Sequence, residues 1–198
     1  GVRVHVRSSF GNAPGTIVTS LPRPKEGQMS MIADRPVTGV ALDMNHARID
    51  LHDVPDRPGV AGRIFGALGA ADVSVDMIIQ GVRGAADSRQ QMAFIVGKGV
   101  VADALDALRP VLAEMGARAE VDTEVAKLSI VGIAIGSTPG VAGRMFDAVA
   151  AVNANIDMIT TSEVRISVLI PAEHAQAALE AVHTAFGLDA AAGTTSSD

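Results

Sequence analysis

The residues whose types and order hold the most chemistry are Asp56-Arg57-Pro58-Gly59-Val60-Ala61, which end one alternating stretch and begin an apolar pattern of helical period. Amides of a helix's first turn, here Gly59, Val60 and Ala61, point at whatever lies above them. The helix dipole favours an anion there, and a small carboxylate would fit. An ammonium group on the same ligand would need acceptors. Asp56, and Gln80 at the end of an adjacent strand, are placed to supply them. An α-amino acid carries both groups. The run returns as Ser137-Thr138-Pro139-Gly140-Val141-Ala142, so any such site is duplicated. A second reading stays open: Asp56 and Ser137 would serve equally well as caps of the helices that follow them.

Other chemistries lack their residues. The five histidines (His5, His46, His52, His174, His183) form no HExxH motif. With no cysteine there is no disulfide framework, thiolate metal site or cysteine nucleophile, a composition that fits the cytoplasm. No GxxxxGK[ST] phosphate loop is present. Gly62, Gly66 and Gly69 are spaced for close helix packing on a sheet rather than for a dinucleotide turn. A net charge of −6, with neither a basic run nor any Trp or Tyr, argues against a nucleic-acid partner. No apolar run reaches the roughly 18 residues of a membrane helix.

The elements that must position the Pro-Gly runs follow from the duplication. Pro58 and Pro139 are offset by 81 residues, and the same offset relates Ile49 to Ile130 and Asp76-Met77-Ile78 to Asp157-Met158-Ile159. Alternation predicts strands at 48–52, 73–80, 92–96 and 117–121. Helical spacing predicts helices from about 59, where Pro58 suits the first helical position, and over 102–115, with Leu105, Leu108 and Leu112 inward and Pro110 bending it. The order is βαββαβ. The second copy has strands at 127–133, 156–161 and 164–170 and helices at 140–152 and 171–186, but its closing strand is missing. Residues 36–42 belong to neither copy by the offset, and are expected to supply that strand. The fold class is therefore α+β: two ferredoxin-like units, antiparallel sheets with helices on one face, the first inserted in the second. The domains are 47–122 for the first unit and 36–46 plus 123–188 for the second, with a tail at 189–198. Upstream, 21–35 is a proline-containing linker, and 1–20 reads as two strands ending something larger.

These residues also carry a family resemblance. Pro36-Val37-Thr38-Gly39-Val40-Ala41, Val54-Pro55-Asp56-Arg57-Pro58-Gly59-Val60-Ala61, Val75-Asp76-Met77-Ile78-Ile79-Gln80 and Thr161-Ser162-Glu163-Val164-Arg165-Ile166-Ser167-Val168-Leu169-Ile170 resemble the tandem ACT regulatory domains of aspartokinase. Arg7-Ser8-Ser9-Phe10 and Ala13-Pro14-Gly15-Thr16 resemble the last strands of its kinase domain. The resemblance implies a homodimer that binds threonine, lysine or both where ACT domains pair between chains, and so inhibits phosphorylation of aspartate. It implies no cofactor in this chain, ATP and Mg being used by the catalytic domain or subunit that would be its partner. It implies an effector surface of Asp56, Arg57, Pro58, Gly59, Val60, Ala61 and Gln80 in the first unit, and of Ser137, Gly140, Val141, Asn153, Asn155, Ile156 and Asp157 in the second. Met29 or Met31 stands where some bacteria start a separate small subunit. Gly81, Arg83, Gln91 and Thr138 depart from the residues usual in the family. The rival reading is a ligand-free ACT module that only assembles the enzyme.

Overall fold

The computed structural model describes residues 4–6, 16–18, 36–81 and 89–189. It divides into two compact units, Gly1–Arg35 and Pro36–Asp198. In the first, β1 (Val4–Val6) pairs antiparallel with β2 (Thr16–Val18), close to the two strands expected. The expected linker at 21–35, loop residues 82–88 and tail residues 190–198 lie outside the described residues.

The second unit contains both copies of the repeat. The first copy runs β4 (His46–Pro55), α1 (Val60–Ala70), β5 (Asp76–Gln80), β6 (Arg89–Gly97), α2 (Val101–Met115) and β7 (Arg118–Asp122). Its antiparallel sheet has the order β5-β6-β4-β7. Strand alternation drives this: Ala47, Ile49 and Leu51 of β4 are buried, while Arg48, Asp50 and His52 point to the opposite face. Val60, Ile64 and Leu68 recur at helical spacing on α1 and pack against Ile49, Leu51 and Phe94.

The second copy runs β8 (Val125–Gly132), α3 (Val141–Ala151), β9 (Met158–Thr161), β10 (Arg165–Pro171) and α4 (Ala175–Ala185). Its last strand comes from ahead of the first copy. β3 (Val37–Asp43) pairs antiparallel with β8, giving the order β3-β8-β10-β9, so β3 holds the place that β7 holds in the first sheet. The first domain is thus inserted in the second. The 81-residue offset carries α1 onto α3 from end to end.

Three expectations need correction. Pro58 is not the first helical residue: α1 begins at Val60, and Arg57-Pro58-Gly59-Val60 forms a type II turn closed by Val60 N–H to Arg57 O at 3.4 Å. Gly62, Gly66 and Gly69 do not pack on the sheet, because all three are exposed and a Cβ added at any of them would meet nothing within 4 Å. On α2 the inward face is Ala104, Leu108, Leu112 and Met115; Leu105 is half-buried, since the period puts Ala104 four residues before Leu108. The helix runs through Pro110, which lies on its exposed side.

The helix-free faces of the two sheets share a third apolar cluster, in which Met77, Ile95, Val125, Met158 and Leu169 are buried. Met77 and Met158 are equivalent by the repeat, so the contact between the domains has approximate twofold character.

Candidate functional site

Each copy of the Pro-Gly run joins the first strand of its repeat, β4 or β8, to a helix. Gly59 has φ 89° and ψ −13°, and Gly140 has φ 85° and ψ −14°; both hold the third position of a type II turn, which needs positive φ. In the second copy Val141 N–H closes the turn on Thr138 O at 3.5 Å. These bonds revise the expected donor set, because the Val60 and Val141 amides are used within their turns. Their side chains are buried in the two helix-side cores, so only the backbone of either residue faces the turn. The first intrahelical bond of α1 is Arg63 N–H to Gly59 O at 3.1 Å, which leaves the amides of Ala61 and Gly62 as first-turn donors.

The residue that opens each helix is a glycine without a side-chain cap. Asp56 and Ser137 therefore stand outside the N-cap position. Asp56 is half-buried; Arg57, Pro58, Gly59 and Ala61 are exposed. Ser137, also exposed, ends a short 3-10 turn in which its amide donates to Ala134 O at 3.1 Å.

Gln80 is the last residue of β5, but β5 is not adjacent to β4. β6 lies between them, which puts Gln80 two strand spacings, about 10 Å, from β4, the strand that leads into Asp56. The adjacency expected from the βαβ reading is absent because the sheet order is that of a ferredoxin-like unit, with the third strand in the middle. Gln80 Nε2 donates to Gln90 Oε1 at 2.8 Å, and Gln90 is in register with Val54 on β4, so the two ends of the candidate site are joined through β6. A cleft of about 380 Å³ opens at this end of the sheet, lined by His52, Asp53, Gly81, Gln91 and Arg118, with the Arg89 guanidinium donating to the Asp53 carbonyl at 2.6 Å.

In the second copy, Asn153 has φ 58° and is equivalent to Asp72, with φ 57°, in the turn that follows each helix. Asn is well suited to that conformation, which accounts for the residue type without a ligand. Asn155 is exposed, and its Nδ2 donates to Asp157 Oδ1 at 3.4 Å. Ile156 packs on the apolar core of the second domain.

The sequence reading missed the partners of Asp157 and Asp76. Arg48 Nη1 donates to Asp157 Oδ2 at 2.9 Å, and Lys127 Nζ donates to Asp76 Oδ2 at 2.8 Å. Both bonds cross from one repeat to the other. Arg48 also donates through Nε to Asp50 at 2.8 Å and lies 3.6 Å from Asp122. Burial lowers the Arg48 pKa, but Asp50, Asp157 and Asp122 more than offset this and hold it above its ordinary value. For Asp76, burial raises the carboxyl. Hydrogen bonds from Lys127 and the Met77 amide, with the charges of Lys127 and Arg165, overcome that and leave it below its ordinary 3.8. The only signal in the sequence was the polar side of two alternating strands, which reads the same whether it faces water or another sheet.

Among the described residues no group of three His, Cys, Asp or Glu could hold a metal, and no helix is long and apolar enough to cross a membrane.

Two models of the ACT domain match, over residues 49–113 and 128–186. The chain is 57% identical over 191 residues to an aspartokinase of Thermus thermophilus, covering 96% of this chain and 45% of that relative. It is 43% identical over 196 residues to an aspartate kinase of Stutzerimonas stutzeri, covering 98% and 45%. The chain thus spans about half the length of the curated relatives it matches. The ligand-free crystal structure of the regulatory subunit of aspartate kinase from Thermus thermophilus is similar with a TM-score of 0.75 at 58% identity, over 77% of this chain and 99% of that one. A crystal structure of aspartokinase alpha and beta subunits gives a TM-score of 0.69 at 40% identity, over 76% and 98%.

Proposed function

Because the chain belongs to the aspartokinase family, as the regulatory region built of two ACT domains, we propose that it is a feedback sensor that binds a free α-amino acid, threonine, lysine or both. The observation that carries this reading is the duplicated type II turn, with Gly59 and Gly140 in the same left-handed conformation at the start of equivalent helices. Each turn presents first-turn amides at a positive helix end, where a ligand carboxylate is favoured. Asp56 accepts the ammonium group in the first domain, and Gln80 closes the site from the sheet edge. Ser137, Gly140, Asn155 and Ile156 form the counterpart surface.

In this reading two copies of the chain pair edge to edge, and effector binding alters that pairing. The change reaches a catalytic domain or subunit that phosphorylates aspartate with ATP and Mg in the cytoplasm. In this reading the nucleotide site belongs to that catalytic domain or subunit. A coupling of about 1–3 kcal/mol suffices for feedback control.

Isothermal titration of the chain with threonine, with lysine, and with each in the presence of the other tests the reading. Saturable binding near one per chain is the expected outcome. Asp56→Ala should weaken it roughly tenfold or more, the loss of one charge-assisted hydrogen bond, while the chain still folds by circular dichroism. Unchanged affinity would remove Asp56 from the site. Silence toward both amino acids, with a dimer intact by sedimentation, would instead favour an assembly module.

A further inference from the structure

Asp76 and Asp157 occupy equivalent positions in the two repeats, and each is held by a cation from the other repeat. Lys127 on β8 donates to Asp76 at the start of β5; Arg48 on β4 donates to Asp157, one residue before β9. The cations are not themselves equivalent. Lys127 and Arg48 sit on corresponding first strands two positions out of phase, an even step that keeps both on the helix-free face. Their side chains are 12% and 22% exposed, and the pairs flank the shared cluster around Met77 and Met158.

The acids connect directly to the candidate effector residues. Asp157 uses its second oxygen to accept from Asn155. Asp76 accepts from the Met77 amide at 2.8 Å, at an irregularity in the pairing of β5 with β6, and β5 ends at Gln80. Met77 itself has φ 49°. Such an irregularity bends its strand and re-aims the side chains beside it, and here it carries the anchored carboxylate. Separating either pair leaves a cation that is 12% or 22% exposed without its acid, so a shift of one strand is felt by the strand that carries the cation.

We propose that Arg48 and Lys127 are positioning residues that tie each repeat's effector strand to the opposite repeat, making the two effector sites of one chain energetically coupled. Asp157 then serves the site through Asn155 rather than by touching the ligand. This rests on the effector reading above and adds the route by which one site senses the other.

The test uses the intact chain and the variants Arg48→Gln, Lys127→Gln and Arg48→Lys, with two readouts. Amide hydrogen exchange without ligand reports the tie. Arg48→Gln should speed exchange in 157–161 of the opposite repeat by about tenfold, Lys127→Gln should speed it in 76–80 by up to about fivefold, as befits a pair nearer the surface, and Arg48→Lys should restore protection. Titration of threonine with and without saturating lysine reports the coupling. Coupling is expected in the unmodified chain and in Arg48→Lys, and should fall toward no effect in both glutamine variants, while affinity for the first ligand changes less than about threefold. Unchanged exchange across the repeats overturns the tie whether or not any ligand binds. Equal coupling in all variants overturns the positioning role. If the unmodified chain binds neither amino acid, the effector reading fails and the coupling with it, while the exchange data still decide the tie. A glutamine variant that melts well below the others is replaced by methionine at the same position, Arg48→Met or Lys127→Met, which retains the apolar stem, and judged by the same two readouts.

Discussion

Gly59 and Gly140 adopt the same left-handed backbone, φ 89° and 85°, at the start of helices that the repeat carries onto one another. A type II turn needs positive φ at this position, and glycine meets the need without a Cβ penalty. The equivalence means that the two candidate sites share one backbone template. They differ in the side chains set upon it: Asp56 and Arg57 in one, Ser137 and Thr138 in the other.

Replacing either glycine by alanine separates backbone strain from crowding. A Cβ at Gly59 or Gly140 meets nothing within 4 Å, so the penalty is conformational alone, about 1–2 kcal/mol. Urea denaturation of Gly59→Ala and Gly140→Ala should show that loss with an unchanged m-value. A loss below about 0.5 kcal/mol would mean that the turn relaxes to another type.

The exposed glycines of α1 predict the opposite sign. Gly62, Gly66 and Gly69 have helical backbone and open space where a Cβ would stand. Alanine at any one of them should raise stability by about 0.5–1 kcal/mol, measured by the same denaturation. A loss on substitution would show that another molecule closes on this face of α1.

Ser129 and Ser167 face one another across β8 and β10, 5% and 2% exposed, with their hydroxyls 2.8 Å apart. Removing one leaves the other unsatisfied in a buried site. Ser129→Ala or Ser167→Ala should each cost about 1–3 kcal/mol, and the double variant should be less destabilised than their sum. A double-mutant cycle by thermal denaturation checks this, and strict additivity would mean that the hydroxyls have other partners.

Acid should weaken the tie between the repeats from the Asp76 side. The folded state holds this carboxyl below its ordinary 3.8, so it binds protons less readily than the unfolded chain. Its contribution to stability is complete above 3.8 and is lost as the pH falls through the lower folded value. With a side chain 43% exposed, the pair belongs near the surface class, about 1 kcal/mol or less. Asp76→Asn should be less stable than the parent at neutral pH, and the gap should narrow as the pH falls below 3.8 and close beneath the lower folded value. A difference that persists undiminished there would assign the effect to packing.

Much of the architecture was legible in the order of residues. Periods of two and 3.6 located the strands and helices because a half-buried element must segregate its apolar residues at its own geometric period. The duplication doubled each signal. Counting strands left one copy short, and β3 supplied the missing strand by pairing with β8, which without it would stand at the sheet edge. Pro-Gly announced the two turns, although Pro58 belongs to the turn itself and the helix waits for Val60.

Tertiary structure alone decided what lies across from what. β6 stands between β4 and β5, so Asp56 and Gln80 are farther apart in the sheet than their places in the chain suggested. The strand faces carrying Arg48 and Lys127 show no sign in their own alternation of what lies opposite, yet they meet acids of the opposite repeat beside a shared apolar cluster. Periodicity is a property of one segment and reports which side of it is apolar. Pairing between segments distant in the chain depends on how whole domains stack, and no local pattern encodes that.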